Sequence, residues 1–224
     1  MRFAFTFLSL VAAIAATGFA WQFPRLGWLI PFYLALDTIL NLCGWWGIIQ
    51  PGVFESRAYL LFVAIGQGLV LIFALLVAIS FPLDFWVGVF FIPLVALASL
   101  AGAFRLWSAA PDTQGKLALI QGAVMLACGV YALTAALVEQ MTPEKTAAAF
   151  WLGIFWLASG AFGWCYAVKG AAWNSANEWA PSLVELICLA SLAIQLNGIQ
   201  KEMARQHSRD EVALSEMQHM EAQP

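Results

Sequence analysis

The sequence predicts an all-α fold, a polytopic transmembrane helical bundle of about seven spans joined by short loops. Only 10% of the 224 residues are charged and 62% are hydrophobic, whereas a soluble domain carries about 25% charged residues. The mean hydropathy is +0.82. Because this bias runs along the chain as far as about residue 200, it does not indicate a soluble domain with a single membrane anchor.

Seven apolar stretches are long enough to cross the hydrocarbon core of a bilayer, which needs about 20 helical residues. Helices are predicted rather than barrel strands, because the stretches do not alternate apolar with polar side chains and lipid cannot solvate an open sheet edge. Proline, glycine and polar residues occupy the breaks. The predicted spans are residues 3–20, 27–49, 58–80, 84–106, 117–139, 147–168 and 180–199.

The first stretch has two interpretations. Met1 and Arg2, followed by a short apolar run and small residues near Ala20, have the layout of a secretory signal peptide. A genuine first span is favoured, because a single arginine makes only a weak version of the positively charged N-terminal region that signal peptides have. In that case small residues at four-residue spacing would pack against another helix, namely Ala12, Ala16 and Ala20.

The tryptophans support the predicted span ends. The headgroup region accommodates the apolar indole ring while the indole N–H remains hydrogen-bonded to water. Trp156 and Trp164 lie within the sixth span and are expected to face neighbouring helices or a cavity. The tryptophans near predicted span ends are Trp21, Trp28, Trp45, Trp46, Trp86, Trp107, Trp151, Trp173 and Trp179.

Two helix hairpins have similar sequences, which indicates a tandem duplication of spans three and four as spans five and six. Residues 65–68 (IGQG) resemble residues 119–122 (LIQG), and residues 85–91 (FWVGVFF) resemble residues 150–156 (FWLGIFW). Such copies would be related by an axis along the membrane normal, as in some transporters. Chance similarity within so apolar a composition is the alternative.

The composition changes after the seventh span. Residues 1–199 form the predicted bundle, and residues 200–224 form a polar C-terminal tail that contains His207 and His219. The tail is expected either to extend span seven and fray in solvent, or to form a short helix that docks on a partner or on the membrane surface.

Carboxyl groups inside apolar helices are the strongest functional signal in this sequence, since a charge there costs roughly 2.5–3.5 kcal/mol on insertion scales. Asp37 lies near the middle of span two, with Asn41 one turn later on the same face. Glu185 lies about a turn and a half into span seven, where an interfacial position is favoured. Asp37 and Asn41 are therefore candidates for a proton- or cation-binding site, and a hydrogen-bonded acid that joins helices is the alternative.

Two glutamines occupy matching places in the similar hairpins. Gln67 precedes Gly68, and Gln121 precedes Gly122, so close backbone approach is expected at both glycines. The two side chains are candidates for lining a polar pathway. Interhelical hydrogen bonding, worth about 0.6 kcal/mol on average, is slightly favoured. The complete candidate intramembrane polar site is Asp37, Asn41, Gln67, Gln121 and Glu185.

Several kinds of chemistry are disfavoured by what the sequence lacks. No histidine lies within a predicted span, which removes bis-histidine haem ligation. The absence of clustered carboxylates also argues against an intramembrane metal centre. There is no phosphate-binding glycine loop or serine-nucleophile motif, and no basic run indicates nucleic acid binding. We therefore expect no cofactor, metal, catalytic residue or nucleic acid partner.

Three functions are compatible with these features. A channel or transporter for a small solute or ion is favoured, with Asp37 as the leading residue. A non-catalytic accessory subunit of a larger membrane complex is the alternative, and a homo-oligomer is compatible with both. An enzyme acting on a lipid or isoprenoid is third, because it requires Asp37 and Glu185 in one pocket.

The expected location is the cytoplasmic (inner) membrane of a bacterium. The lysines and arginines divide equally between the two sides of a seven-span topology. The positive-inside rule therefore does not orient the chain.

Overall fold

A computed structural model describes the backbone of residues 2–49, 57–84, 87–110, 113–177 and 179–221, with side chains in 4–43, 61–62, 64–84, 87–110, 115–170 and 179–212. Within these residues the fold consists of helices without a strand, so the all-α prediction is confirmed for the described part of the chain. The α-helices are α1 (Arg2–Ala20), α2 (Leu29–Ile49), α3 (Arg57–Ser80), α4 (Ile92–Leu106), α5 (Thr113–Val138), α6 (Pro143–Asn177) and α7 (Trp179–Glu221).

Much of the surface of the bundle is apolar. Leu94, Leu97 and Phe104 of α4, for example, are at least 64% exposed, and such a surface suits lipid better than water. By length and composition, four described segments can cross a membrane, namely Val87–Ala109, Gly115–Val138, Pro143–Gly170 and Trp179–Val212. The shorter apolar segments are Ala4–Ala20, Leu29–Cys43 and Ala64–Ser80.

The helices form a ring with α4 on its outside. Around the ring, α1 packs on α2, α2 on α3, α3 on α5, α5 on α6, α6 on α7, and α7 returns to α1. The peripheral helix α4 packs on the outer side of α5. This closed arrangement lets α2, α3, α5 and α6 face a common interior.

The most extensive helix contact joins α5 to α6 through glycines spaced two turns apart. Gly122 and Gly129 of α5 meet Gly160 and Gly153 of α6, in antiparallel order. A Cβ atom built on Gly129 would lie 2.8 Å from the carbonyl oxygen of Gly153, and one on Gly160 would lie 2.7 Å from that of Gly122. Because only glycine allows the backbones to approach so closely, these residues set the distance between the helices.

The small-residue stripe of α1 is buried. Ala12, Ala16 and Ala20 are at most 6% exposed, in a helix that packs against α7 and α2. This is the packing predicted for a first span.

The last two helices extend beyond their predicted spans. The backbone of α6 is broken at Gly170, which has φ 71° and ψ −164°, a conformation that favours glycine. A second helical stretch follows this break and ends at Asn177. Helix α7 continues from its apolar part through the polar tail to Glu221, and residues 222–224 lie outside the described residues.

The two hairpins that resemble each other in sequence pack differently. Helices α5 and α6 are in extensive contact, whereas α3 packs mainly on α2 and α5, and α4 packs mainly on α5. Phe85 and Trp86, which belong to the compared segments, lie outside the described residues. The tandem duplication therefore stays a prediction.

The tryptophans inside α6 face the protein, as expected. Trp156 is fully buried, and the indole N–H of Trp164 donates to the carbonyl oxygen of Leu119 at 3.0 Å. At span ends, Trp21 and Trp28 are exposed, whereas the indole nitrogen of Trp151 is buried without a hydrogen-bond partner. The side chains that lie outside the described residues are those of Trp45, Trp46, Trp86 and Trp173.

Gly160→Ala should destabilise the protein, because the added Cβ would overlap backbone atoms of α5. Overpacking of this kind costs about 1–3 kcal/mol, so the midpoint of thermal unfolding in detergent should fall. Gly18→Ala is the matched control, since Gly18 is a helical glycine with no atom within 4 Å of the added Cβ. Equal unfolding midpoints for the two variants would contradict the glycine-determined spacing of α5 and α6.

Candidate functional site

A cavity of about 290 Å³ lies between α2, α3, α5 and α6. Asp37 comes from α2, Gln67 from α3 and Gln121 from α5, so the structure places three of the predicted site residues around one space. Each lies at least two turns inside its helix. The other lining residues are Tyr33, Leu40, Val70, Leu71, Ala118, Met125, Phe155, Ser159 and Gly163.

The remaining predicted residues, Asn41 and Glu185, lie behind Asp37. The amide nitrogen of Asn41 donates to the Asp37 carboxyl at 3.4 Å and to the Glu185 carboxyl of α7. An amide NH₂ group has two protons, so a single nitrogen can serve both acids. Asn41 therefore links two carboxyl groups on different helices, in addition to its expected position beside Asp37.

Glu185 is buried by neighbouring helices, which its place in the sequence did not indicate. Its side chain is only 8% exposed, and α1 supplies Ser9 as a second hydrogen-bonding partner. Its interfacial position stays a prediction, because burial among helices does not fix the depth of a residue relative to a bilayer. The neighbouring helices α1 and α2 cover this part of α7 and bury the carboxyl group.

The glutamines differ in their surroundings. Gln67 is exposed at the edge of the cavity, whereas Gln121 is half-buried. The expected close backbone approach occurs after Gln121, where Gly122 meets α6, but not after Gln67, since Gly68 has open space around it. On α3 the close contact falls instead at Gly66, where an added Cβ would overlap the side chain of Leu40.

Tyr33 is a lining residue that the sequence reasoning missed. It lies one turn before Asp37 and is fully buried. Its hydroxyl oxygen accepts a hydrogen bond of 2.7 Å from the indole N–H of Trp156, and the rings meet edge to face with centroids 5.5 Å apart. The i−4 spacing from Asp37 was the available signal, since it places both side chains on one face of α2.

The chemistry of the cavity is that of an acceptor-rich site. A hydroxyl group that accepts one hydrogen bond still has its own proton to donate, and carboxyl and amide oxygens supply acceptors. No lining residue is a lysine, arginine or histidine. The described residues contain no group of three potential metal ligands, so the arrangement suits hydrogen bonding to a solute or cation.

No protein-family model, curated protein or solved structure matches this chain.

Tyr33→Phe should destabilise the protein, because it leaves the N–H of Trp156 buried without an acceptor. A buried donor that loses its partner costs about 1–3 kcal/mol, and the change should appear as a lower midpoint of thermal unfolding. Tyr166→Phe is the control, since Tyr166 is a half-buried tyrosine of α6 outside the cavity lining. If Tyr33→Phe unfolds at the same temperature as the unmutated protein, the hydrogen bond contributes little.

Proposed function

We propose that this protein is a multi-pass membrane protein whose seven helices cross the bilayer, and that it is a channel or transporter for a small solute or ion. The polar cavity between α2, α3, α5 and α6 would be its binding site. The proposal places the protein in the inner membrane of a bacterium, where the exposed apolar side chains would contact lipid.

The observation that carries the proposal is the position of Asp37. This carboxyl group lies about 12 Å along α2, in a helix whose other residues are mostly apolar, and it lines a cavity together with Gln67 and Gln121. Ionisable groups at such depth mark solute and ion pathways in membrane proteins. Polar residues that served only to join helices would contact one another directly rather than line a cavity.

The cavity supports transport more than catalysis. An enzyme acting on a lipid would need two acids exposed to its substrate. Here Asp37 lines the cavity, whereas Glu185 lies behind Asn41 and is not among the lining residues.

The transport proposal predicts that flux depends on the cavity. In proteoliposomes, Asp37→Asn should lower the flux of the transported solute about tenfold or more. A tenfold decrease corresponds to a loss of about 1.4 kcal/mol in the binding free energy of the solute. Gln67→Ala should lower it less, because it removes a neutral partner. The measurement is radiotracer or fluorescence uptake with a panel of monovalent cations, small amines, urea and acetamide.

Matched substitutions outside the cavity provide the controls for this flux measurement. Asp210 and Gln195 are exposed residues of α7 and do not line the cavity, so Asp210→Asn and Gln195→Ala should transport normally. The proposal fails if both cavity variants move every solute as the unmutated protein does. It also fails if liposomes with the unmutated protein leak no faster than empty ones.

A second candidate is a non-catalytic subunit of a larger membrane complex, which the length of α7 favours. Residues 201–212 are all exposed, and their ion pairs, Arg205 with Glu202 and His207 with Glu211, lie within the helix itself. Such an unburied helical extension offers a docking segment for another chain.

Native mass spectrometry after gentle extraction tests this second candidate. An accessory subunit should appear with a foreign subunit at fixed stoichiometry, and deleting residues 201–224 should release that subunit. Asp37→Asn should leave the association unchanged, since Asp37 lies far from this segment. A monomer or homo-oligomer would contradict the accessory role.

A further inference from the structure

The acid of the cavity has no basic partner among the lining residues. Asp37 is its one lining carboxyl group, and no lysine or arginine accompanies it. Glu185, joined to Asp37 through Asn41, places a second acid directly behind the wall. A buried carboxylate is stabilised by a paired cation, so a cation bound in the cavity would favour the ionised form of Asp37.

The basic residue of α5 nearest to this wall does not point toward Asp37. Lys116 precedes the lining residue Ala118 by only two positions, but its ammonium group lies 5.6 Å from the centre of the Trp107 ring, beside α4. Helix α4 packs on α5 from outside the helix ring. The pairs Arg205–Glu202 and His207–Glu211 likewise lie in the polar part of α7.

The walls of the cavity are largely apolar and aromatic. Leu71, Met125 and Phe155 line it together with the polar side chains, and the ring of Tyr33 is held in place by Trp156. The volume of about 290 Å³ is many times the roughly 30 Å³ that one water molecule occupies. A bare metal cation would leave most of this space and most of these walls unused.

We propose that the cavity binds a small organic cation, a protonated amine or a guanidinium group, with its charge against Asp37 and its apolar part against Phe155 and Met125. This inference rests on the proposed function and names its substrate class. N–H donors of the cation pair with the carboxylate, and the amide oxygens of Gln67 and Gln121 accept its remaining protons. Aromatic faces add a favourable cation–π contribution.

The test compares two probes of nearly the same shape and different charge, methylguanidinium and the neutral methylurea. Binding is measured by isothermal titration calorimetry on the full-length protein in lipid nanodiscs. Methylguanidinium should bind with a saturable signal, at least tenfold more tightly than methylurea. Asp37→Asn should lower its affinity at least tenfold, whereas Asp37→Glu, which keeps the charge, and Asp210→Asn, which changes a remote acid, should lower it less than threefold.

Two results would overturn this inference for a folded set of variants, checked by circular dichroism and thermal unfolding. One is that the unmutated protein binds methylguanidinium and methylurea with equal affinity, or that the unmutated protein and Asp37→Asn bind methylguanidinium with equal affinity. The other is saturable binding of sodium without binding of methylguanidinium, which would indicate a site for an inorganic ion. Binding in nanodiscs is measured independently of flux. Binding of methylguanidinium without transport would overturn the proposed function alone. Transport of neutral solutes without cation binding would overturn this inference alone.

Discussion

The structure depends on one constraint, that polar groups among apolar helices must find partners within the protein. Small hydroxyl side chains satisfy this constraint by donating hydrogen bonds to backbone carbonyl oxygens of their own helix. Thr17 donates to the carbonyl oxygen of Ala13 at 2.8 Å, and Thr38 donates to that of Leu34 at 2.7 Å. Carboxyl groups have no such local solution, because a helix interior offers them no free N–H. Their partners must come from other side chains. The amide group of Asn41 on α2 donates to both Asp37 and Glu185, and this joins α2 to α7.

The glycine contact between α5 and α6 also determines the shape of the cavity. Gly122 follows Gln121 directly, and Gly160 follows Ser159, so each contact glycine has a cavity-lining neighbour in the sequence. Consecutive helical residues point about 100° apart. The close approach of the two backbones therefore turns Gln121 and Ser159 toward the interior. Packing and site geometry are two results of the same helix contact.

The sequence was sufficient to predict the helices, because apolar length and the turn residues between the runs are local properties. It also indicated Asp37, Gln67 and Gln121, since polar residues in apolar helices are conspicuous. It did not indicate the burial of Glu185, which comes from α1 and α2, and it missed Tyr33, whose role depends on Trp156 of a distant helix. Such contacts between helices leave little trace in local composition. The equal spacings of Gly122 with Gly129 and of Gly153 with Gly160 are present in the sequence, but that these two pairs meet is shown only by the structure.

The continuous helix α7 has a mechanical consequence. Glu185 lies near one end of this rod and Glu221 lies at the other, about 54 Å away at the rise of an α-helix. A tilt of about 5° around Glu185 would move the far end by about 5 Å, while the carboxyl group itself would hardly shift. The length of α7 therefore means that any rotation centred on the Asn41–Glu185 contact would be magnified at the far end of the helix.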